Sequence, residues 1–582
     1  MAIKSSGAVN PRDETDLFEA GRFRESFDSK QWIADFRRKN GRPLRVLHIG
    51  NIANNAYMNA KIQRARGIEA DVLSFGYYHI MGCPEWEDAE FEGVHGDDMM
   101  PDWWGVRFTK PYKRPRWFAQ GSLDLCIRML MASRGKSQWA RRATWYGLEF
   151  ERWVLSRQSF PARVVRAIIM KICGRPAGLN NAQPTMLLAQ KGAKALTDWM
   201  VKHPKRATPK LRQLQRRMAL YGQRGDANVE APLHLKNNRK ARSRIEARAN
   251  EILGETGREM QPHDMDHVYI WWWHPYLPKL FRQYDIVQCY ATYGAMPMAI
   301  ELPHYVTYEH GTIRTIPYDD DAQGRLCMAS YRGADAVLVT NTDCLDSAVR
   351  MGVDLDRIVP LPHAFDSDKI EAFARAHAHA KPPTDVVSFF APARHHWVDN
   401  NIKANDRIFR ALSILKAEGL TCRLRVVDWG KDVQASKALI AQLGLTEQVE
   451  WVPVMKKKQL WEEYLRSHAV LDQFLLPAMG AVGFETMLLG RLLIASIDKP
   501  TFTTFFVEPP PVPDVRTIEQ IAATMREVIR NPQGALETGA KAREWMRKYH
   551  SSDQIVALQA QSYAAIVAAR ESERAQPSRV SA

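Results

Sequence analysis

Between Ala469 and Ser496 the chain passes from an apolar run ending in Leu471-Asp472-Gln473, through a loop with Pro477, Gly480 and Gly483, into Phe484-Glu485-Thr486-Met487-Leu488-Leu489-Gly490, and then into Leu492-Leu493-Ile494-Ala495-Ser496. The pattern predicts strand, glycine loop, short helix, glycine stop, strand. In a parallel α/β sheet such a loop lies at the carboxyl end of its strand, where the unpaired N–H groups of a helix start attract an anion. Glu485, read into the first turn of that helix, adds a carboxylate able to accept hydrogen bonds from a vicinal diol such as a ribose. Phosphate donors and a diol acceptor together suit a nucleotide sugar. An ordinary crossover helix whose glutamate caps its own start explains the same residues without a ligand.

A second signal lies upstream. Val386-Val387-Ser388-Phe389-Phe390 reads as a buried strand, followed by Ala391-Pro392-Ala393-Arg394 and by Ile402-Lys403-Ala404-Asn405-Asp406, which opens a helix through Leu412. Taken together, the segments resemble retaining glycosyltransferases built of two Rossmann domains, the GT-B architecture, of the group 1 or family 4 type that assembles polysaccharides. Many of those enzymes carry two glutamates seven residues apart, the second followed by a short helix and a glycine. Glu485 and Gly490 fit the second half, but Pro477 stands where the first glutamate would fall. A variant with Asp-Gln at the strand end and a glycine five residues before the glutamate matches Asp472, Gln473, Gly480 and Glu485.

The resemblance implies that Arg394 and Lys403 neutralise the donor diphosphate, whose charge grows as the glycosidic bond breaks, with Ala404 in place of the usual glycine. As an isolated pair, an Arg and a Lys nine residues apart would be solvated surface charge. By the same resemblance Glu485 holds the ribose, the backbone around Gly480 holds the donor, and Gly430, after the strand Leu424-Arg425-Val426-Val427-Asp428, joins the donor-binding set. It implies a nucleoside diphosphate-sugar as donor, a carbohydrate or lipid-linked carbohydrate as acceptor, and no cofactor or metal.

The first half of the chain carries a matching pattern. Pro43 to Gly50 reads as a first parallel strand ending at glycine, Asn51-Ile52-Ala53-Asn54-Asn55 turns into a helix through Arg66, and Glu69 to Ser74 is the second strand. Gly50, Asn51, Asn54 and Asn55 are candidates for a loop facing acceptor and phosphate, a plain Asn-capped helix being the alternative. Further strands are expected at Tyr284 to Cys289, His304 to Tyr308, Gly333 to Asn341 and Ile358 to Asp366. At the end of the second of these stands His310-Gly311. The family often has such a pair touching the donor sugar near its reacting carbon, whereas a histidine bound to loop backbone is the plainer reading. Arg314 is a candidate for a phosphate contact or for a pair with Asp319, Asp320 or Asp321.

The 582 residues exceed one core, and 45% apolar with 25% charged is ordinary globular composition. The expected organisation is a helical extension over 1–42, a Rossmann-like acceptor domain over 43–100 and 261–383, a basic helical insertion over 101–260, a Rossmann-like donor domain over 384–548, a crossover helix over 549–570 and a disordered tail over 571–582. The two domains are expected to face a cleft. No stretch approaches eighteen uninterrupted apolar residues, the first residues lack the apolar core of a signal peptide, and seven cysteines without a C-x-x-C pair read as reduced thiols. The expected compartment is the cytoplasm. His263-Asp264-x-Asp266-His267 matches no standard ligand spacing and reads as polar capping of the aromatic run that follows.

Charge is unevenly placed. Residues 101–260 hold 33 Lys and Arg against 11 Asp and Glu, so the overall +16 arises wholly from that segment. Within it Lys113, Arg114 and Arg116 adjoin Trp117-Phe118, and Arg141-Arg142 precede Trp145, Arg152 and Trp153. Leu123, Ile127 and Leu130, and later Val164, Val165, Ile168 and Ile169, recur at helical spacing. Amphipathic helices adhering to an anionic membrane surface at its inner face are one expectation, and a helical appendage with solvated charges is the other. Two rival functions stand beside glycosyl transfer: a sugar-nucleotide epimerase or glycosyl phosphorylase on the same fold, and a nucleic-acid-binding protein led by its basic segment. No nucleic-acid motif accompanies the charge, so no nucleic-acid partner is expected.

Overall fold

The structure, a computed structural model, describes residues 27–156, 239–261, 264, 274, 276–300, 302, 304–398, 403–476 and 478–575. Two separate parallel sheets organise it. The first contains β1 (Arg45–Ile49), β2 (Glu69–Phe75), β3 (Phe118–Gly121), β4 (Ile286–Tyr290), β5 (Val306–Glu309), β6 (Ala336–Val339) and β7 (Ile358–Pro360), in the order β7-β6-β5-β4-β1-β2-β3. The second contains β8 (Ser388–Ala391), β9 (Arg423–Val427), β10 (Val449–Val452), β11 (Ala469–Leu471) and β12 (Leu492–Ile494), in the order β10-β9-β8-β11-β12. Their central strands are short apolar runs buried on both faces, as a parallel sheet covered by helices on each side requires. The fold class is therefore α/β with two Rossmann-like sheets, as the sequence predicts.

The helices that matter for the site are α1 (Ser29–Asn40), α2 (Asn55–Ala65), α3 (Pro84–Asp88), α4 (Leu123–Arg134), α5 (Gln138–Ser156), α6 (Arg239–Leu253), α7 (Asn405–Ala417), α8 (Lys457–Leu465), α9 (Ala481–Leu488), α10 (Pro532–His550) and α11 (Ser552–Ala575). Asp28 caps α1 by accepting from the Gln31 N–H, and Gly41 ends it with φ 64°.

After α10 closes the second domain, α11 returns to the first, where it packs beside α1 and α2. Its contact there is polar as well as apolar. Gln63 of α2 donates to Gln559 at 2.7 Å and to the Tyr563 hydroxyl at 3.0 Å, and Tyr563 donates to Gln288 of β4. His48 of β1 lies between Gln63 and the Tyr290 hydroxyl, 2.9 Å from each. Burial holds its imidazole down to about 4, so it serves this closed network as a neutral ring. The helix runs to Ala575, so residues 571–575 belong to it rather than to a tail, and 576–582 lie outside the described residues.

The insertion needs a larger correction. β3 pairs in parallel with β2, Val72 opposite Phe118, and so is an edge strand of the first sheet rather than part of an appendage. Leu123, Cys126, Ile127 and Leu130 of α4 and Leu148 of α5 enter the same core, while α6 packs on the helix Ala322–Arg332. Arg114 is buried and grips Glu85 with two bonds of 2.8 and 2.6 Å, and Arg152 is buried beside it. Two cations read as membrane-facing thus stabilise the interior. Residues 157–238, including Val164, Val165, Ile168 and Ile169, lie outside the described residues. No helix among the described residues is long and apolar enough to cross a membrane.

Candidate functional site

Each sheet has one point where neighbouring strands send their connections to opposite sides, leaving a crevice at the strands' carboxyl ends. In the second sheet it lies between β8 and β11. The chain leaves β8 through a loop carrying Arg394 and Lys403 and re-enters α7 at Asn405. The Asn405 amide closes that loop, accepting from the His396 N–H at 3.2 Å and donating to the Ala393 carbonyl at 3.4 Å. Lys403 N–H donates to the His396 carbonyl at 3.2 Å. Its ammonium group crosses to the end of β11 and donates to Gln473 Oε1. Gln473 is itself fixed, because its amide donates to the Ala478 carbonyl at 2.6 Å. Asp472 beside it is buried; burial pushes its carboxyl up and Lys403 pulls it back. Arg394 is exposed on the loop, and no ion pair holds it among the described residues.

Ala404, where the related pattern has glycine, caps α7 with φ 54° and ψ 40° and is fully buried. A methyl is tolerated in this left-handed conformation at a cost, and a β-branched side chain is not. Ala404→Val should therefore destabilise the protein by about 2 kcal/mol or more in urea unfolding, and Ala404→Gly should stay within about 1 kcal/mol of the parent.

The two glycines assigned to donor binding are used differently. Gly480 caps α9 in extended backbone, and the space where a side chain would stand is empty to 4 Å. Neither conformation nor packing requires glycine there, and the opening lies at the start of α9, whose first N–H groups have no intrahelical partner. Gly430, with φ 114°, instead abuts the His395 backbone, which a Cβ would meet at 2.5 Å. Its close approach joins two strand-end loops rather than admitting a ligand. Pro477 lies outside the described residues.

Glu485 departs from expectation. It is the fifth of eight helical residues rather than part of the first turn, and only 2% of it is exposed. One carboxylate oxygen lies 2.6 Å from the Lys457 ammonium and the other accepts from the Trp461 indole at 2.8 Å. A ribose reaches this carboxylate only if Lys457 and Trp461 withdraw. Burial opposes the charge on Lys457, but Glu485 and Glu87 more than offset it, and its pKa is raised. Glu87 belongs to α3 of the first domain, 3.7 Å from the same ammonium. Lys458 pairs with Glu90, and Lys456 stands 4.4 Å from the centre of the Phe91 ring. The three lysines therefore form a seam between the domains.

On the first-domain side, His310 follows β5 and precedes Gly311, whose φ is 118°. Its Nε2 is buried without a hydrogen-bond partner among the described residues, and burial, reinforced by Arg314, lowers its pKa against the pull of Glu309. It is a neutral ring with a free nitrogen. Nearby His363, held down to about 3 chiefly by burial, packs on Phe484, the residue before Glu485, with ring centres 5.5 Å apart. Arg314 binds Asp343 through two bonds, at 2.5 and 2.8 Å, rather than Asp319, Asp320 or Asp321.

The first sheet's crevice, between β1 and β4, is filled. Gly50 has φ 90°, and a Cβ there would lie 2.4 Å from the Tyr293 ring. Asn51 donates to Asn54 and to the Gly82 carbonyl and accepts from the Tyr57 N–H at 2.9 Å; Asn54 donates to the Cys83 carbonyl; Asn55 donates to the Ile52 carbonyl. Asn51 and Asn54, both buried, thus hold the turn at residues 79–83, while Asn55 closes its own helix start. Asp264 is bound to Arg325 and the Gln261 N–H, while His263, Asp266 and His267 lie outside the described residues.

No protein-family model and no curated protein matches the chain. Solved structures similar to it include sucrose-phosphate synthase from Thermosynechococcus elongatus, at 18% identity over 49% of this chain and 75% of that one, with a TM-score of 0.37. HepE from Anabaena in complex with UDP-glucose shares 14% identity over 56% of this chain and 96% of its own, with a TM-score of 0.39. A glycosyltransferase from Rickettsia africae shares 14% identity over 67% and 96%, with a TM-score of 0.38.

Proposed function

We propose that this protein is a GT-B glycosyltransferase that moves a sugar from a nucleoside diphosphate-sugar to a carbohydrate or lipid-linked carbohydrate acceptor in surface polysaccharide or glycolipid assembly. The observation that carries the reading is the meeting of Lys403 with Gln473 across the β8/β11 crevice, beside the open start of α9. A diphosphate leaving group needs fixed positive charge that is already in place when the bond breaks, and a lysine held at a strand end with helix N–H groups nearby supplies it without a metal. Arg394, exposed on the same loop, adds a second cation. His310, neutral and with a free nitrogen, takes the sugar side. In a retaining reaction no protein base is needed, because the departing phosphate accepts the acceptor's proton. Glu485 can serve the ribose only after Lys457 releases it, so the reading rests on Lys403 and the α9 start rather than on that carboxylate.

The test is incubation of the full chain with nucleoside diphosphate-sugars, with and without oligosaccharide and lipid-linked acceptors, while following free nucleotide and the fate of the sugar. Acceptor-dependent nucleotide release with the sugar joined to the acceptor supports the proposal. Epimerised sugar, or nucleotide released equally without acceptor, replaces it with the epimerase reading.

A further inference from the structure

Helix α5 has two apolar sides: one is buried, and the other carries exposed rings. Leu148 is buried against β3, where its side chain meets Gly121, and Leu155 on the same side is buried as well. On the opposite side Trp139, Tyr146, Phe150 and Trp153 are 79, 67, 60 and 40% exposed. At 3.6 residues per turn these four positions fall within roughly 60° of one another, so the rings form a single ridge along the helix. Phe150 and Trp153 stack with ring centres 5.9 Å apart. Scattered exposed aromatics need no explanation, but four in register on a helix already packed on its other side form a patch that water disfavours.

The exposed charges nearest the ridge are cationic. Arg142 flanks it at helical spacing and Lys136 precedes the helix, both exposed; no acidic residue occurs from Lys136 to Tyr146, and Glu149 is drawn back to the buried Arg152. Aromatic rings interleaved with cations match the boundary between anionic headgroups and acyl chains. A convex ridge can sink into that boundary, whereas single-stranded nucleic acid is held in grooves that track its backbone. We propose that the Trp139-to-Trp153 ridge of α5 seats this protein on an anionic lipid bilayer. The buried Arg114 and Arg152, and the core residues of α4, take no part. The proposal is independent of the transferase reading, since adhesion is measured without turnover.

The experiment is co-sedimentation of the full chain with phosphatidylcholine vesicles, with and without phosphatidylglycerol, at low and high salt. Wild type should bind the anionic vesicles. Replacing Trp139, Tyr146 and Phe150 together with serine should lower partitioning by at least about tenfold, because each ring returns apolar surface to water. Lys136→Gln with Arg142→Gln should lower it on the order of tenfold on anionic vesicles at low salt only. All the substituted residues are exposed, so circular dichroism melts should superimpose on those of the parent. Four outcomes would overturn the proposal: no binding by wild type; unchanged binding by the triple-serine variant; a wild-type dimer in light scattering that the variant splits, which makes the ridge a contact between copies; or tighter binding to a single-stranded oligonucleotide than to vesicles.

Discussion

Lys403→Ala should lower kcat/KM by on the order of 10²- to 10³-fold, as removal of one preorganised charge contact does, while unfolding stability moves by no more than about 1 kcal/mol. The asymmetry follows from the geometry. Lys403 is partly buried, its ammonium donates to a neutral amide, Gln473, and the carboxyl it acts on, the buried Asp472, has its own charge opposed by burial. A lysine so placed contributes little to the fold and keeps its charge for an anion in the crevice. Arg394→Ala should act in the same direction, with stability unchanged, because Arg394 is exposed and no ion pair holds it among the described residues. Steady-state kinetics with parallel urea unfolding separates the two effects, and near-native turnover of both variants would remove them from the site.

Lys457→Ala should cost about 3–5 kcal/mol of stability, the range for a buried pair deprived of one partner, because it strands the Glu485 carboxylate with only the Trp461 N–H. Lys457→Met combined with Glu485→Gln should recover much of that loss, since the buried 485 side chain is then neutral and only Glu87, at the edge of the seam, has lost a cation. Urea unfolding of the two variants beside the parent decides it. If Lys457→Ala unfolds at the parental concentration of urea, the seam does not depend on this pair.

Elements whose signal is local were legible from the chain alone. Strands β8, β11 and β12 are short apolar runs bounded by glycine and polar residues, and the parallel pairing follows from the helices between them. The α11 crossover was legible from its length, although its end was set five residues early. β3 was not legible: Phe118-Ala119-Gln120-Gly121 is buried on both faces, so it shows no alternation, and it sits among basic and proline residues that suggest a loop. Side-chain pairing was the other blind spot. The aspartate that binds Arg314 is 29 residues away, and the carboxylates that bind Lys457 and Lys458 come from both domains, so neither spacing nor period encodes them. Gly480 and Gly430 looked alike as letters, and only their surroundings separate an open helix start from a contact between two loops.

The central claim is that the β8/β11 crevice holds a nucleoside diphosphate. Titration calorimetry of the full chain with UDP, GDP, CDP and ADP tests it most directly. At least one of the four should bind with 1:1 stoichiometry, and Lys403→Ala should weaken that binding by at least about tenfold, the loss of one charge-assisted contact. Absence of heat with all four, or the same affinity in the parent and in Lys403→Ala, would contradict the account.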